Sequence, residues 1–145
     1  LRATIASVAA AGFNTICTQT IYSGYAIYPG APGLLQHPRF EGWDPLQELV
    51  ELCEQYELYL VPWVWVYYVG QKNSPLVAGR KAWLGLSRKG VYPSEAEPGY
   101  HFFCPSRPEV RRFWLDQYAD LLQEMGHRVV EKYILYLSTF DAVEV

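Results

Sequence analysis

The feature of this 145-residue sequence that most constrains its fold is the alternation of helix-type and strand-type segments. Alanine-rich residues 2–11 predict a first helix that ends at Gly12, and residues 13–20, FNTICTQT, predict the first strand. Long segments rich in Gly, Pro and Tyr follow the predicted strands. This order is typical of parallel strands joined by right-handed helical crossovers, so it predicts an α/β fold.

Two further helices are marked by their first residues. Residues 44–47, DPLQ, predict an N-cap aspartate with proline in the first turn. Residues 106–109, SRPE, form a capping box and predict a helix over about 107–125. A last apolar run at residues 133–137 predicts the third strand, so the chain contains about three strand-and-helix units.

The second strand is predicted over residues 60–70, LVPWVWVYYVG. Because strand side chains alternate between faces, Trp63, Trp65 and Tyr67 would share one face and the aliphatic residues the other. We expect Trp63 to be a core residue and the end of the strand to line a pocket. A strand that is buried throughout is the alternative.

Composition narrows the classes of partner. Half of the residues are hydrophobic and 19% are charged, which excludes a disordered chain, and the net charge of −3 predicts no nucleic-acid partner. No run approaches 18 apolar residues, so no membrane partner is predicted either. Aromatic residues make up 16% of the chain, with many rings near strand ends or in loops, which favours a surface for flat or sugar-like ligands.

The sequence predicts neither a metal nor another cofactor. The cysteines and histidines lack the close spacing of metal ligands. They are Cys17, Cys53, Cys104, His37, His101 and His127. The residues after Leu1 do not form a signal-peptide pattern, and the three cysteines leave the redox compartment open, so no localisation is assigned.

Several motifs, taken in order, resemble one protein family. They are GFNTI before the first strand, YSGYAIYP in the loop after it, GWDPL at the second helix, PWVWVY in the second strand and CPSRPEVRRFWLDQYADLL at the third helix. Over about residues 4–125 they resemble the family-10-like glycosyl hydrolases, TIM-barrel proteins regarded as carbohydrate hydrolases. The resemblance implies that residues 1–145 form a single partial (β/α)8 TIM-barrel domain, with about three βα units and long loops after the strands.

The same resemblance implies a sugar-binding cleft, because barrel enzymes build their sites from the loops after each strand. The implied substrate-binding residues are Gln19, Tyr22, Tyr25 and Tyr28 after the first strand, and Trp65, Tyr67 and Tyr68 after the second. Aromatic rings suit a pyranose because its face is largely C–H, while tyrosine hydroxyl or glutamine groups suit its hydroxyl rim.

The catalytic groups are harder to assign. Family members often carry histidine and asparagine where this chain has Val61 and Trp65, and Tyr136 occupies the position of the attractive catalytic acid. Glycoside hydrolysis normally needs two carboxyl groups. Asp141 is the candidate catalytic residue, with a solvated loop aspartate as the alternative, and no complete acid pair is identified.

Length leaves more than one function open. A complete barrel takes about 250 residues, so three units predict the N-terminal portion of a longer protein or a truncated relative. The first hypothesis is a hydrolase of O-glycosidic bonds in a polysaccharide, to which this chain supplies aromatic subsites. The alternatives are a non-catalytic carbohydrate-binding or scaffold domain and an incomplete gene product. Open sheet edges predict self-association.

Overall fold

The computed structural model describes residues 1–71, 73–92 and 100–126. The helices are α1 (Arg2–Ala10), α2 (Pro45–Gln55), α3 (Pro75–Ala78) and α4 (Pro108–Glu124). The strands are β1 (Thr15–Tyr22), β2 (Tyr25–Ala26), β3 (Leu35–Gln36), β4 (Tyr59–Val64), β5 (Tyr68–Gly70) and β6 (His101–Phe102). Short 3-10 helices occupy Pro38–Phe40 and Lys81–Trp83. The strand predicted over 133–137 and the candidate residue Asp141 lie outside the described residues.

The main sheet has four strands in the order β3-β2-β1-β4. Strands β1 and β4 are parallel and connected through α2, whereas β2 folds back antiparallel to β1 and pairs in parallel with β3. Strands β5 and β6 form a separate antiparallel pair. The predicted mixed α/β fold is therefore confirmed, and in the described part of the chain the sheet is open, without closure into a barrel.

The two faces of the β1–β4 pair have different surroundings. Helix α2 packs against β4, where Leu60 is buried in the core. On the opposite face, Tyr59 and Trp63 are 55% and 54% exposed. The prediction that Trp63 is a core residue is therefore wrong, because alternation along β4 directs it to the same solvent-exposed face as Tyr59.

The predicted second strand is divided in two. Strand β4 ends at Val64 and β5 begins at Tyr68 in the other sheet. Between them Tyr67 adopts a positive φ of 66°, and the Tyr68 amide donates to the carbonyl of Val66 at 2.9 Å. This turn ends the predicted alternation after Trp65, so the residues beyond it do not share faces as a single strand would require.

The predicted start of α2 agrees with the structure, whereas the predicted start of α4 does not. Asp44 caps α2, since its Oδ1 accepts from the amides of the second and third helical residues at 3.1 and 3.0 Å. The predicted capping box at α4 is wrong. The helix begins one residue later, at Pro108, because proline is favoured in the first helical position. Arg107 is then the N-cap residue and forms a 3.5 Å ion pair with Glu109.

Candidate functional site: an aromatic belt

A bulge near the end of β1 redirects the residues that follow it. Gln19 pairs with Trp63 whereas Ile21 pairs with Val64, so Thr20 has no partner position of its own. Before the bulge the odd-numbered residues of β1 face the open side, but Ile21 is only 1% exposed. The bulge has therefore reversed the alternation just before Tyr22, the last residue of the strand.

Two glycines let the turn after β1 touch β5 directly. Gly24 has a φ of +81°, and a Cβ there would lie 2.6 Å from the carbonyl oxygen of Val69. Gly70 has a φ of +98°, and a Cβ there would overlap the carbonyl oxygen of Ser23. Only glycine fits both the conformation and the space. This backbone contact brings the end of β1 close to β5, and with it two groups of aromatic side chains.

Nine ring-bearing side chains form a continuous surface at the C-terminal ends of β1 and β4. This aromatic belt consists, in spatial order, of Trp43, Phe40, His37, Tyr25, Tyr22, Trp65, Tyr68, Tyr100 and Phe102. Contacting rings have centroids 5.2 to 6.3 Å apart. None of the nine side chains is buried. The belt is therefore a contiguous aromatic patch that solvent or a ligand can reach.

The centre of the belt is formed by Tyr22 and its neighbours. Its ring stacks on His37 at 5.3 Å and 27°, and meets Trp65 edge-on at 6.3 Å. Tyr25 also meets His37 edge-on, at 5.3 Å. The Nδ1 atom of His37 accepts from the Arg39 amide at 3.2 Å, which places the proton of the neutral imidazole on Nε2.

Hydrogen bonds hold one end of the belt in place. Phe40 links His37 to Trp43, with both centroid separations at 5.8 Å. The indole N–H of Trp43 donates to Glu48 on α2 at 3.0 Å. The side-chain amide of Gln36 donates to the carbonyl of Trp43 at 2.7 Å, so the loop that carries these rings is fixed to β3.

The other end of the belt is built on β5 and β6. Tyr68 and Phe102 are paired residues of these strands, and their rings lie 5.6 Å apart. Tyr68 also contacts Trp65 at 5.2 Å and Tyr100 at 5.4 Å. Tyr68 therefore connects the ring that follows β4 with the rings carried by the distant segment around residue 100.

Four of the predicted binding residues come together in this surface: Tyr22, Tyr25, Trp65 and Tyr68. Gln19 lies apart from them, half-buried on the open face of the sheet and paired with Trp63. The predicted catalytic residue, Asp141, is outside the described residues.

The other two predicted binding residues point into the protein. Tyr28 is 1% exposed, and its hydroxyl donates to Asp120 on α4 at 2.9 Å. Burial raises the pKa of Tyr28 well above its ordinary value, and the hydrogen bond and charge of Asp120 raise it further. Tyr67 turns away from the belt and meets Trp114 edge-on, with centroids 6.3 Å apart.

Tyr67 belongs to a second group of rings, in which Phe103, Phe113 and Trp114 are buried while Tyr67 and Trp83 are half-buried against them. This buried aromatic cluster consists of Tyr67, Trp83, Phe103, Phe113 and Trp114. Its centroid separations of 5.3 to 6.4 Å resemble those of the belt, but Phe103 is only 1% and Trp114 only 3% exposed. The cluster is thus part of the core that holds α4 against β5 and β6.

Comparisons with known protein families, with curated proteins and with solved structures find no match. Within the described ranges, no group of three or more His, Cys, Asp or Glu side chains could hold a metal ion. No described helix is long and apolar enough to cross a membrane.

Five belt residues were not among the predicted binding residues: His37, Phe40, Trp43, Tyr100 and Phe102. Four of the five come from segments that the sequence pattern assigns to irregular loops, where no periodicity indicates which way a side chain points, and Phe102 lies between such a loop and the predicted third helix. The available signal was the concentration of aromatic residues in those loops. It indicates an aromatic surface without indicating which rings meet.

Proposed function

We propose that the aromatic belt binds the sugar units of a polysaccharide. The observation that carries this proposal is the continuity of nine partly exposed rings across two sheets. A pyranose presents a C–H face that packs on an aromatic ring and a rim of hydroxyls that needs hydrogen bonds. Tyrosine hydroxyls and the indole N–H of Trp65 in the belt supply such partners.

Hydrolysis of O-glycosidic bonds is the second candidate function. It is favoured by the position of the belt at the C-terminal ends of parallel β1 and β4, where βα-barrel enzymes assemble their sites. In this proposal β1, α2 and β4 belong to a partial TIM barrel, as the resemblance to family-10-like glycosyl hydrolases implies. Asp141 would supply one of the two carboxyl groups that hydrolysis requires.

A length series of oligosaccharides tests sugar binding. Fragments of β-glucan, chitin and peptidoglycan of two to six units would be titrated while tryptophan fluorescence and heat of binding are measured. We expect the affinity for one of these sugars to rise with length, because longer chains cover more rings. Trp65→Ala should weaken binding by about 0.5 to 1.5 kcal/mol, the usual contribution of one aromatic contact.

Trp63→Ala is the matched control for that substitution. It removes the same type of side chain from the same segment, but Trp63 lies on the open face of the sheet and not in the belt. We expect it to leave sugar affinity unchanged. Equal losses in the two variants, or binding of neither these three sugars nor an oligosaccharide that contains uronic acids, would contradict the proposal.

Hydrolysis is tested separately with the same oligosaccharides. With no complete acid pair identified, the 145-residue chain should release no reducing ends above background. Turnover that disappears in Asp141→Asn would instead make Asp141 a catalytic residue and hydrolysis the function of this chain. Binding without turnover would favour a carbohydrate-binding or scaffold role.

A further inference from the structure

A pocket of about 330 Å³ lies next to the part of the belt that contains Tyr25. It is lined by Gly24, Gly33, Leu34, Leu35, Leu76 and Arg80, among others. Gly24 directly precedes Tyr25, and Leu35 is paired with Tyr25 between β2 and β3. The volume is at the lower end of the range for small-molecule sites, so the pocket suits a small ligand or one unit of a longer one.

Arg80 brings a positive charge to this mostly apolar pocket in a fixed position. Its guanidinium carbon lies 5.3 Å from the ring centroids of both Trp83 and Phe113. Its Nη2 donates to the carbonyl of Gly33 at 3.3 Å. A Cβ on Gly33 would lie 2.8 Å from that nitrogen, so the glycine leaves the space that the guanidinium occupies.

No carboxylate pairs with Arg80 in the described part of the chain. The ion pairs there join Arg107 to Glu109 and Arg112 to Asp116. A guanidinium carries five N–H donors, and the carbonyl of Gly33 accepts from one nitrogen only. A half-buried cation held between two rings, with donors to spare, is suited to an anionic ligand.

We propose that this pocket binds the carboxylate of an acidic sugar unit, with Arg80 as its anchor. A carboxylate matches the planar guanidinium fork in a bidentate arrangement. The leucine side chains that line the pocket would contact the C–H face of the same unit. The assignment to a sugar rests on the proposed function of the belt, and it makes the ligand a polysaccharide that contains uronic acids.

Glucuronate and glucose are the first probes, because they differ only at C6, where glucuronate has a carboxylate and glucose a hydroxymethyl group. Each would be titrated while the Nε–Hε resonance of Arg80 is followed by NMR, with assignment by its loss in Arg80→Gln. We expect glucuronate to shift this resonance and to bind about tenfold more tightly than glucose, as one charge-assisted hydrogen bond provides. The preference should fall with added salt and disappear in Arg80→Gln. Equal binding of the two sugars by the native chain would overturn the proposal.

Two further variants separate ligand binding from a structural role of Arg80. Leu35 is 58% exposed, so Leu35→Glu should leave the fold intact while placing a competing carboxylate at the pocket. We expect it to abolish the preference for glucuronate. Arg107→Gln removes an exposed, ion-paired arginine elsewhere and should keep the preference. Retention of the preference in Leu35→Glu, or its loss in Arg107→Gln, would count against the pocket.

The failure of this proposal is distinguishable from failure of the belt. Acidic and neutral oligosaccharides of equal length would be titrated with the native chain, Trp65→Ala and Arg80→Gln. If Trp65→Ala weakens both sugars and Arg80→Gln affects both equally, the belt binds sugar and the acidic pocket is wrong. If glucuronate binds through Arg80 but longer chains bind no more tightly, the pocket stands and the function proposed for the belt fails.

Discussion

The aromatic belt and the buried aromatic cluster are built from the same kinds of side chain at nearly the same ring spacings, but no belt ring is buried whereas three of the five cluster rings are. They meet at one short turn, where Trp65 and Tyr68 join the belt while Tyr67 joins the cluster. The positive φ of Tyr67 makes this division possible, at a typical cost of about 1 to 3 kcal/mol. Aromatic content alone therefore does not separate a binding surface from a core, and the backbone conformation decides between them.

Truncating one ring in each region gives the largest contrast. Phe103 is 1% exposed in the cluster, and Phe103→Ala should lower the free energy of unfolding by about 3 to 5 kcal/mol because it leaves a cavity. Tyr100 is 51% exposed in the belt, and Tyr100→Ala should change stability by less than about 0.5 kcal/mol while weakening sugar binding. Urea unfolding measures the stability of both variants, and oligosaccharide titration measures sugar binding by Tyr100→Ala. Similar losses of stability would show that the two regions are not distinct.

The glycine contact that assembles the belt is the next point to test. Gly70→Ala should cost more than about 1 kcal/mol, because φ is positive and the new Cβ meets the carbonyl of Ser23. Gly30→Ala is the matched control, since Gly30 also has a positive φ, of +83°, but nothing lies within 4 Å of its Cβ position. The difference between the two unfolding free energies isolates the backbone contact. Equal values would mean that Gly70 matters only for its conformation.

The parts of the fold that follow from the sequence are those specified by local patterns. Helices α1, α2 and α4 have a recognisable period, strand β1 is rich in β-branched residues, and Asp44 caps α2 by accepting from the amides of its first turn. The strands of two or three residues have no such signal, because they exist only where another segment pairs with them.

The same distinction holds for the candidate site. Tyr22 and Trp65 are predictable because each lies at the end of a strand. His37 and Tyr100 enter the belt through loop conformations that depend on distant contacts, such as the donation from Gln36 to the carbonyl of Trp43. The burial of Tyr28 could not be predicted from the sequence either, since its hydrogen-bond partner Asp120 is 92 residues away.

Tyr28 gives a contrast between a buried hydroxyl and the exposed ones of the belt. Tyr28→Phe removes the bond to Asp120 and should cost about 1 kcal/mol at pH 7. Tyr25→Phe, in the belt, should leave stability nearly unchanged. If the two variants unfold at the same urea concentration, the bond between Tyr28 and Asp120 makes no net contribution.

The dependence of stability on alkaline pH is a second test of the contribution of Tyr28. The pKa of Tyr28 is raised in the folded state, so its contribution to stability is complete below its unfolded value of about 10 and is lost as the pH rises further toward the folded value. Between pH 9 and 11 the native chain should therefore lose more stability than Tyr28→Phe does. Parallel declines in the two chains would contradict the raised pKa.

The smallest effect on stability is expected at Trp63, which belongs to neither aromatic region. It is 54% exposed beside Tyr59 on the open face of the sheet, so Trp63→Ser should change the free energy of unfolding by less than about 0.5 kcal/mol. We propose that this face mediates self-association, because Tyr59 and Trp63 expose two large aromatic side chains on it. Sedimentation should then show a lower apparent mass for Trp63→Ser than for the native chain, with sugar affinity unaltered. If Trp63→Ser instead lowers the free energy of unfolding by several kcal/mol, Trp63 is a core residue, as the sequence predicts.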